Sequence, residues 1–119
     1  MKGIKMIASK LHFGSHIRVV APSRSMALIK EDCRKIANER LAKMGLKVSY
    51  GKNVDECDEM LSSSIKSRAD DLNEAFADKS VDAILTVIGG VNCMEILDYL
   101  DYDLIKKNPK IFCGFSDIT

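Results

Sequence analysis

A charge excess of one sign is missing from this chain: 18 Lys and Arg stand against 17 Asp and Glu, a formal net charge of +1. Neither sign collects on one long segment, so electrostatic capture of nucleic acid or of an anionic membrane has no compositional support. Long apolar runs are missing too. No stretch approaches the ~20 apolar residues of a membrane helix, and Met1 to Phe13 is broken by Lys2, Lys5 and Lys10, without the apolar core of a signal peptide. The chain therefore reads as cytoplasmic, with no membrane partner and no nucleic acid partner.

Cysteine pairs at motif spacing are also lacking. Cys33, Cys57, Cys93 and Cys113 lie far apart with no C-x-x-C among them, which argues against a zinc ribbon or a redox couple and for four free thiols. Only two histidines occur. His12 and His16 sit four apart, the spacing of half a metal site on a helix, but Gly14 and Ser15 between them predict a loop, so no metal is expected there. Neither G-x-G-x-x-G nor G-x-x-x-x-G-K-[ST] is present, and the turn Pro22-Ser23-Arg24-Ser25 contains no glycine, so a phosphate-cradling loop is disfavoured. No cofactor is implied.

What is present is an alternation of short β-branched runs with amphipathic stretches, in a length that fits one domain with no room for a second. Ile17 to Ala21, stopped by Pro22, reads as a strand buried on both faces. Ser25 is placed to cap a helix from Ala27 to Met44, where Leu28, Ile29, Cys33, Ile36, Ala37, Leu41 and Met44 recur at three- and four-residue steps. Gly45 stands where a left-handed C-cap belongs. Leu46 to Tyr50 is a second strand, and Asn53 to Ser64 a loop with at most one helical turn. Ser67 to Ala77 resumes helical spacing, Val81 to Ile88 is the clearest strand, and Cys93 to Leu100 and Asp103 to Lys107 read as helices. Lys110 to Phe115 forms a last strand after Pro109. The fold class expected is α/β, an open and mainly parallel sheet with flanking helices in three layers.

In such sheets ligands bind beyond the carboxyl ends of the strands. Ser23 follows the first strand, Gly89 to Cys93 the third, and Ser116 with Asp117 the fourth, so these groups converge on one edge. Taken singly, Ser23, Ser116 and Asp117 read better as caps of the helices that follow the strands. The segment Gly89-Gly90-Val91-Asn92-Cys93-Met94 says more. Gly and Asn tolerate the positive φ of a sharp strand-to-helix elbow, which would lift Cys93 over the strand ends. A helix starting there would favour a thiolate and stabilise an oxyanion, making Cys93 a nucleophile toward a carbonyl and the most reactive of the four thiols. The same residues also fit a plain tight turn with Cys93 as a small buried hydrophobe.

Five ordered blocks then resemble one family: Val19-Val20-Ala21-Pro22-Ser23, Arg68 to Asp78, Ile88-Gly89-Gly90, Leu100 to Ile105, and Gly114-Phe115-Ser116-Asp117-Ile118-Thr119. They look like the LD-carboxypeptidase and microcin C immunity peptidases, and the Ile-Gly-Gly-x-Asn turn resembles the microcin-immunity branch more closely. The resemblance implies a cytoplasmic serine hydrolase with a Ser-His-Glu triad whose serine lies on the elbow of an N-terminal α/β domain. It implies hydrolysis of an L,D-peptide bond in murein peptides, or of a bond between an aminoacyl or peptidyl group and a nucleotide-like moiety. Partners would be a small peptide or an aminoacyl-nucleotide-like ligand.

Two departures from the family stand out. The elbow serine is matched by Cys93, and residues 1–119 correspond to the N-terminal domain alone, so the triad glutamate and histidine have no counterpart, His12 and His16 included. The oxyanion donors left are backbone amides around Gly89, Gly90 and Met94, with Ser23, Asn92, Ser116 and Asp117 lining the pocket. A chain so constituted is expected to be inactive alone, or to be a non-catalytic binding module. With an uncovered sheet edge it is expected to form homo-oligomers.

Overall fold

A computed structural model describes residues 7–118. The reading of residues 1–13 as lacking a signal segment falls in part on residues outside that range.

Four strands form one parallel sheet: β1 (His16–Val20), β2 (Lys47–Tyr50), β3 (Ala83–Thr86) and β4 (Ile111–Cys113), in the order β2-β1-β3-β4. Ile17 pairs with Val48 on one side and with Ala83 on the other, and Ala83 with Ile111. The chain leaves β1 toward β2, then crosses back to place β3 on the other flank. The order of travel therefore reverses between β1 and β3, and there the crevice of an open α/β sheet opens.

The period-2 alternation of the strands sends Val20 and Ile84 to the face covered by α2 (Ile65–Ala77). These two and Ala69, Leu72, Ala75, Phe76, Val81 and Ile96 form the main core. Each of the larger side chains, Val, Leu, Ile or Phe, contributes about 1.5–3 kcal/mol when fully buried relative to leaving it in water. Phe112 of β4 stacks on Phe76 at a centroid separation of 6.4 Å, tying the edge strand to α2. Arg18 puts a charge on the same face; its guanidinium pairs with Glu74 and with Asp78 at 3.0 Å, and its Nε donates to Ser49 Oγ at 2.7 Å.

Several expected boundaries move, for identifiable reasons. The helix expected from Ala27 is split. Ser25 Oγ accepts from Ala27 N at 3.0 Å, but it caps only a 3-10 turn at Met26–Leu28. Extended backbone at Ile29 and Lys30 follows, and α1 runs from Glu31 to Lys43. Its apolar stripe is real yet buries no residue. Cys33, Ala37 and Leu41 line, with Val19 and Leu85, a cavity of about 140 Å³. Gly45 takes φ +79° after this helix, as its C-cap position requires. Ser64, immediately before α2, caps that helix through a 3.0 Å bond from Ser67 N.

The segment Cys93 to Tyr99 is wound as a 3-10 helix, and α3 spans Tyr102–Lys107, capped by Asp101. The third and fourth strands are shorter than expected: β3 begins only at Ala83, the Val81 N–H bonding to Asp78 O outside the ladder, while the Val87 N–H still reaches Val20 O just past its end. The stretch from Asn53 to Ser64 contains no helix, as expected of a loop, but it is not peripheral: Ser62 and Ser63 are fully buried, and Ser62 bridges to Arg24.

Candidate functional site

Beyond the carboxyl ends of β1, β3 and β4 three loops meet. The first carries Ser23, fully buried. Its hydroxyl donates to Asp117 Oδ2 at 2.6 Å, and Asn92 Oδ1 lies 3.3 Å from the same oxygen. Asp117 Oδ2 also accepts the backbone N–H of Cys93 at 2.8 Å. Asn92 in turn donates from Nδ2 to Ser62 Oγ at 2.9 Å. Ser23, Asn92, Cys93 and Asp117, four residues singled out from the sequence, thus share one hydrogen-bonded network.

The two glycines have a different reason from the expected one. Neither has a positive φ. A Cβ on Gly90 would lie 2.4 Å from Ser23 Oγ, and one on Gly89 would lie 2.8 Å from Ser116 Cβ. Both glycines let neighbouring loops approach the turn. Strain sits instead at Ser116, whose φ of 59° is one of two positive values for non-glycine residues among those described. Cys93 therefore does not occupy a strained elbow, and Asn92, at φ −127°, does not either.

Cys93 is half-buried against the core, whereas Cys33, Cys57 and Cys113 are exposed. Burial pushes its thiol up from the ordinary value, the Asp117 carboxylate adds to that, and the Arg68 guanidinium opposes it. Desolvation and a neighbouring anion thus both act against the thiolate expected at this position. Asp117 shifts the other way. The Ser23 hydroxyl, then the Cys93 amide, hold its carboxyl below the usual range. Met94 is exposed beside the turn, as is Val91.

One residue of this site was not singled out from the sequence. Arg68, on α2, is buried, and its guanidinium reaches Ser63 O, Pro22 O, Asn92 O and Glu95. An arginine on a helix amid apolar positions gives no sequence sign of pointing inward.

Both histidines lie away from this edge. His16 opens β1, at the amino end, with its ring against Ser80 O and Ser49; from there to Val20 the strand runs about 13 Å. His12 lies in the preceding loop, its Nδ1 facing Phe13 O at 2.9 Å. A concavity of about 710 Å³ between α1 and the loop after β2 includes none of the network residues. Among the described residues no helix is long and apolar enough to cross a membrane.

A four-stranded parallel sheet with a glycine-tightened turn after β3 and polar side chains gathered beyond its carboxyl edge defines an open α/β domain. Residues 17–119 match the LD-carboxypeptidase N-terminal domain, and the chain belongs to that family. The Bacillus subtilis (strain 168) protein named "Putative carboxypeptidase YocD" is 47% identical over 114 residues, covering 96% of this chain and 35% of that protein. The Escherichia coli microcin C7 self-immunity protein MccF is 41% identical over 81 residues, 68% of this chain and 24% of that one. Among solved structures, an MccF-like protein from Bacillus anthracis str. Ames superposes with a TM-score of 0.93 at 49% identity, covering 95% of this chain and 34% of that one. The chain spans about a third of the length of the curated relatives it matches.

Proposed function

We propose that this chain is the nucleophile-bearing domain of a family hydrolase, with Cys93 at the nucleophile position and backbone amides around Gly89, Gly90 and Met94 as oxyanion donors. Its substrate is an L,D-peptide of murein or an aminoacyl or peptidyl group on a nucleotide-like moiety. The carrying observation is the network itself: Asp117, which accepts from the Ser23 hydroxyl of another loop, also accepts the Cys93 N–H at the carboxyl edge of the sheet. MccF structures contain aspartyl sulfamoyl adenosine and glutamyl sulfamoyl guanosine, at 33% and 32% identity to this chain, which supports a nucleotide-like ligand.

By itself the chain binds and does not turn over. Acyl transfer needs a base within hydrogen-bond reach of the nucleophile, and both imidazoles lie toward the opposite end of β1. The raised thiol also favours a second reading, a binding module that keeps the pocket without the chemistry.

The test is to mix the purified chain with aspartyl sulfamoyl adenosine and, separately, with a murein tetrapeptide, following heat of binding and product mass. Binding of one without product is expected. Product formation would overturn the inactivity, and binding of neither would overturn the pocket.

A further inference from the structure

The peptide unit joining Asn92 to Cys93 is held at both ends by charge. Its carbonyl accepts from Arg68 Nη1 at 3.0 Å, and its N–H donates to Asp117 Oδ2 at 2.8 Å. We propose that Arg68 and Asp117 are positioning residues that act as a pair on this peptide, fixing the plane from which the Cys93 side chain projects. The proposal rests on the reading of Cys93 as the nucleophile position.

Arg68 is 3% exposed, and its donors are spread over three segments. Nε donates to Ser63 O at 2.9 Å, Nη1 to Pro22 O at 3.2 Å as well as to Asn92 O, and Nη2 to Glu95 Oε1 at 3.0 Å. Pro22 and Asn92 are the residues immediately before Ser23 and Cys93, so one guanidinium holds the carbonyls behind both site residues. Such charge-assisted bonds are stronger than neutral ones, and only a planar fork meets several carbonyls at once. Asp117 arrives from the far end of the described chain, next to the strained Ser116, and takes the opposite end of the same peptide. A peptide gripped on one side alone rotates about its flanking bonds; gripped on both, it does not.

The pair also acts on the sulfur with opposite signs, since Asp117 raises the thiol and Arg68 lowers it. Packing alone has no such signature. The variants Arg68→Met, Arg68→Lys and Asp117→Asn are compared by hydrogen exchange of the Cys93 amide and by the pH dependence of Cys93 alkylation, followed by mass. Loss of either grip should speed Cys93 amide exchange roughly tenfold while the Ile84 amide stays protected. The alkylation midpoint should rise in Arg68→Met, fall in Asp117→Asn, and return toward wild type in Arg68→Lys, which keeps the charge.

If Arg68→Met does not fold, Arg68→Lys and Asp117→Asn carry the test. Unchanged Cys93 exchange in these two, with Ile84 protected, would overturn the proposal, as would midpoints moving in the same direction. Neither readout needs turnover, so a failure of the hydrolase reading leaves this result standing on its own.

Discussion

Ser23 and Asp117 are joined by a 2.6 Å hydrogen bond although 94 residues separate them in the chain. The bond ties the loop after β1 to the loop after β4 and passes over the turn after β3, where Gly90 lies under the Ser23 hydroxyl. The approach of these loops depends on the missing Cβ as much as on the bond.

Gly90→Ala therefore pushes a methyl group against Ser23 Oγ and, at 2.8 Å, the Arg24 side chain. Overpacking of this kind costs about 1–3 kcal/mol. Urea unfolding of the variant should show that loss. Ser23→Ala removes the struck oxygen, so the double variant should lose less than the two single changes together. Strict additivity would mean that Gly90 and Ser23 are not coupled in solution.

Cysteine reactivity should follow exposure and desolvation, the reverse of the expectation from the turn alone. Limiting iodoacetamide with mass mapping should mark Cys33, Cys57 and Cys113 before Cys93, which is half-buried and carries a raised thiol. Cys93 alkylated first would restore the exposed-elbow reading.

The strands, their parallel alternation with helices and the Gly45 cap were legible in the sequence because each is a local pattern: β-branched runs, period 3.6, a glycine after a helix. So was the convergence of Ser23, the Gly89 to Cys93 turn and Asp117, which follows from the carboxyl-edge rule once the strands are placed. What escaped depends on packing at a distance. The start of α1 is set by extended backbone at Ile29 and Lys30 that no cap signal marks. The role of Gly89 and Gly90 comes from side chains 27 and 67 positions away in the chain, Ser116 and Ser23 respectively. The inward turn of Arg68 exists only because three loops offer it carbonyls.

Acid should weaken the fold through Asp78 in a defined window. Bonds from Ser80, then from Arg18, lower its carboxyl to about 2. Its unfolded value is near 3.9. A group depressed in the folded state contributes stability that is present above the unfolded value and is lost as pH falls from about 4 toward 2. Asp117, also lowered, acts with the same sign, whereas Asp71, raised chiefly by burial, acts with the opposite one. Across that window the urea midpoint of Asp78→Asn should fall less steeply than that of wild type. Parallel curves would show that Asp78 keeps its ordinary pKa.

The last expectation is self-association, argued from surface left open in the fold. β4 is an edge strand with all three residues exposed, and Ile111, Phe112 and Phe115 are 36%, 41% and 65% exposed. On α1, which buries no residue, Ile36 is 48% exposed. An edge with unpaired backbone groups beside apolar side chains is a template for another strand or sheet. Light scattering coupled to size exclusion, at several concentrations, should show dimers or larger species. Phe112→Lys, which puts a charge on the edge strand at the cost of the Phe76 stack, should shift them toward monomer, and Ile36→Lys on α1 serves as the second variant should that one unfold. A wild-type chain that stays monomeric at every concentration would show that this edge is closed by its own side chains in solution.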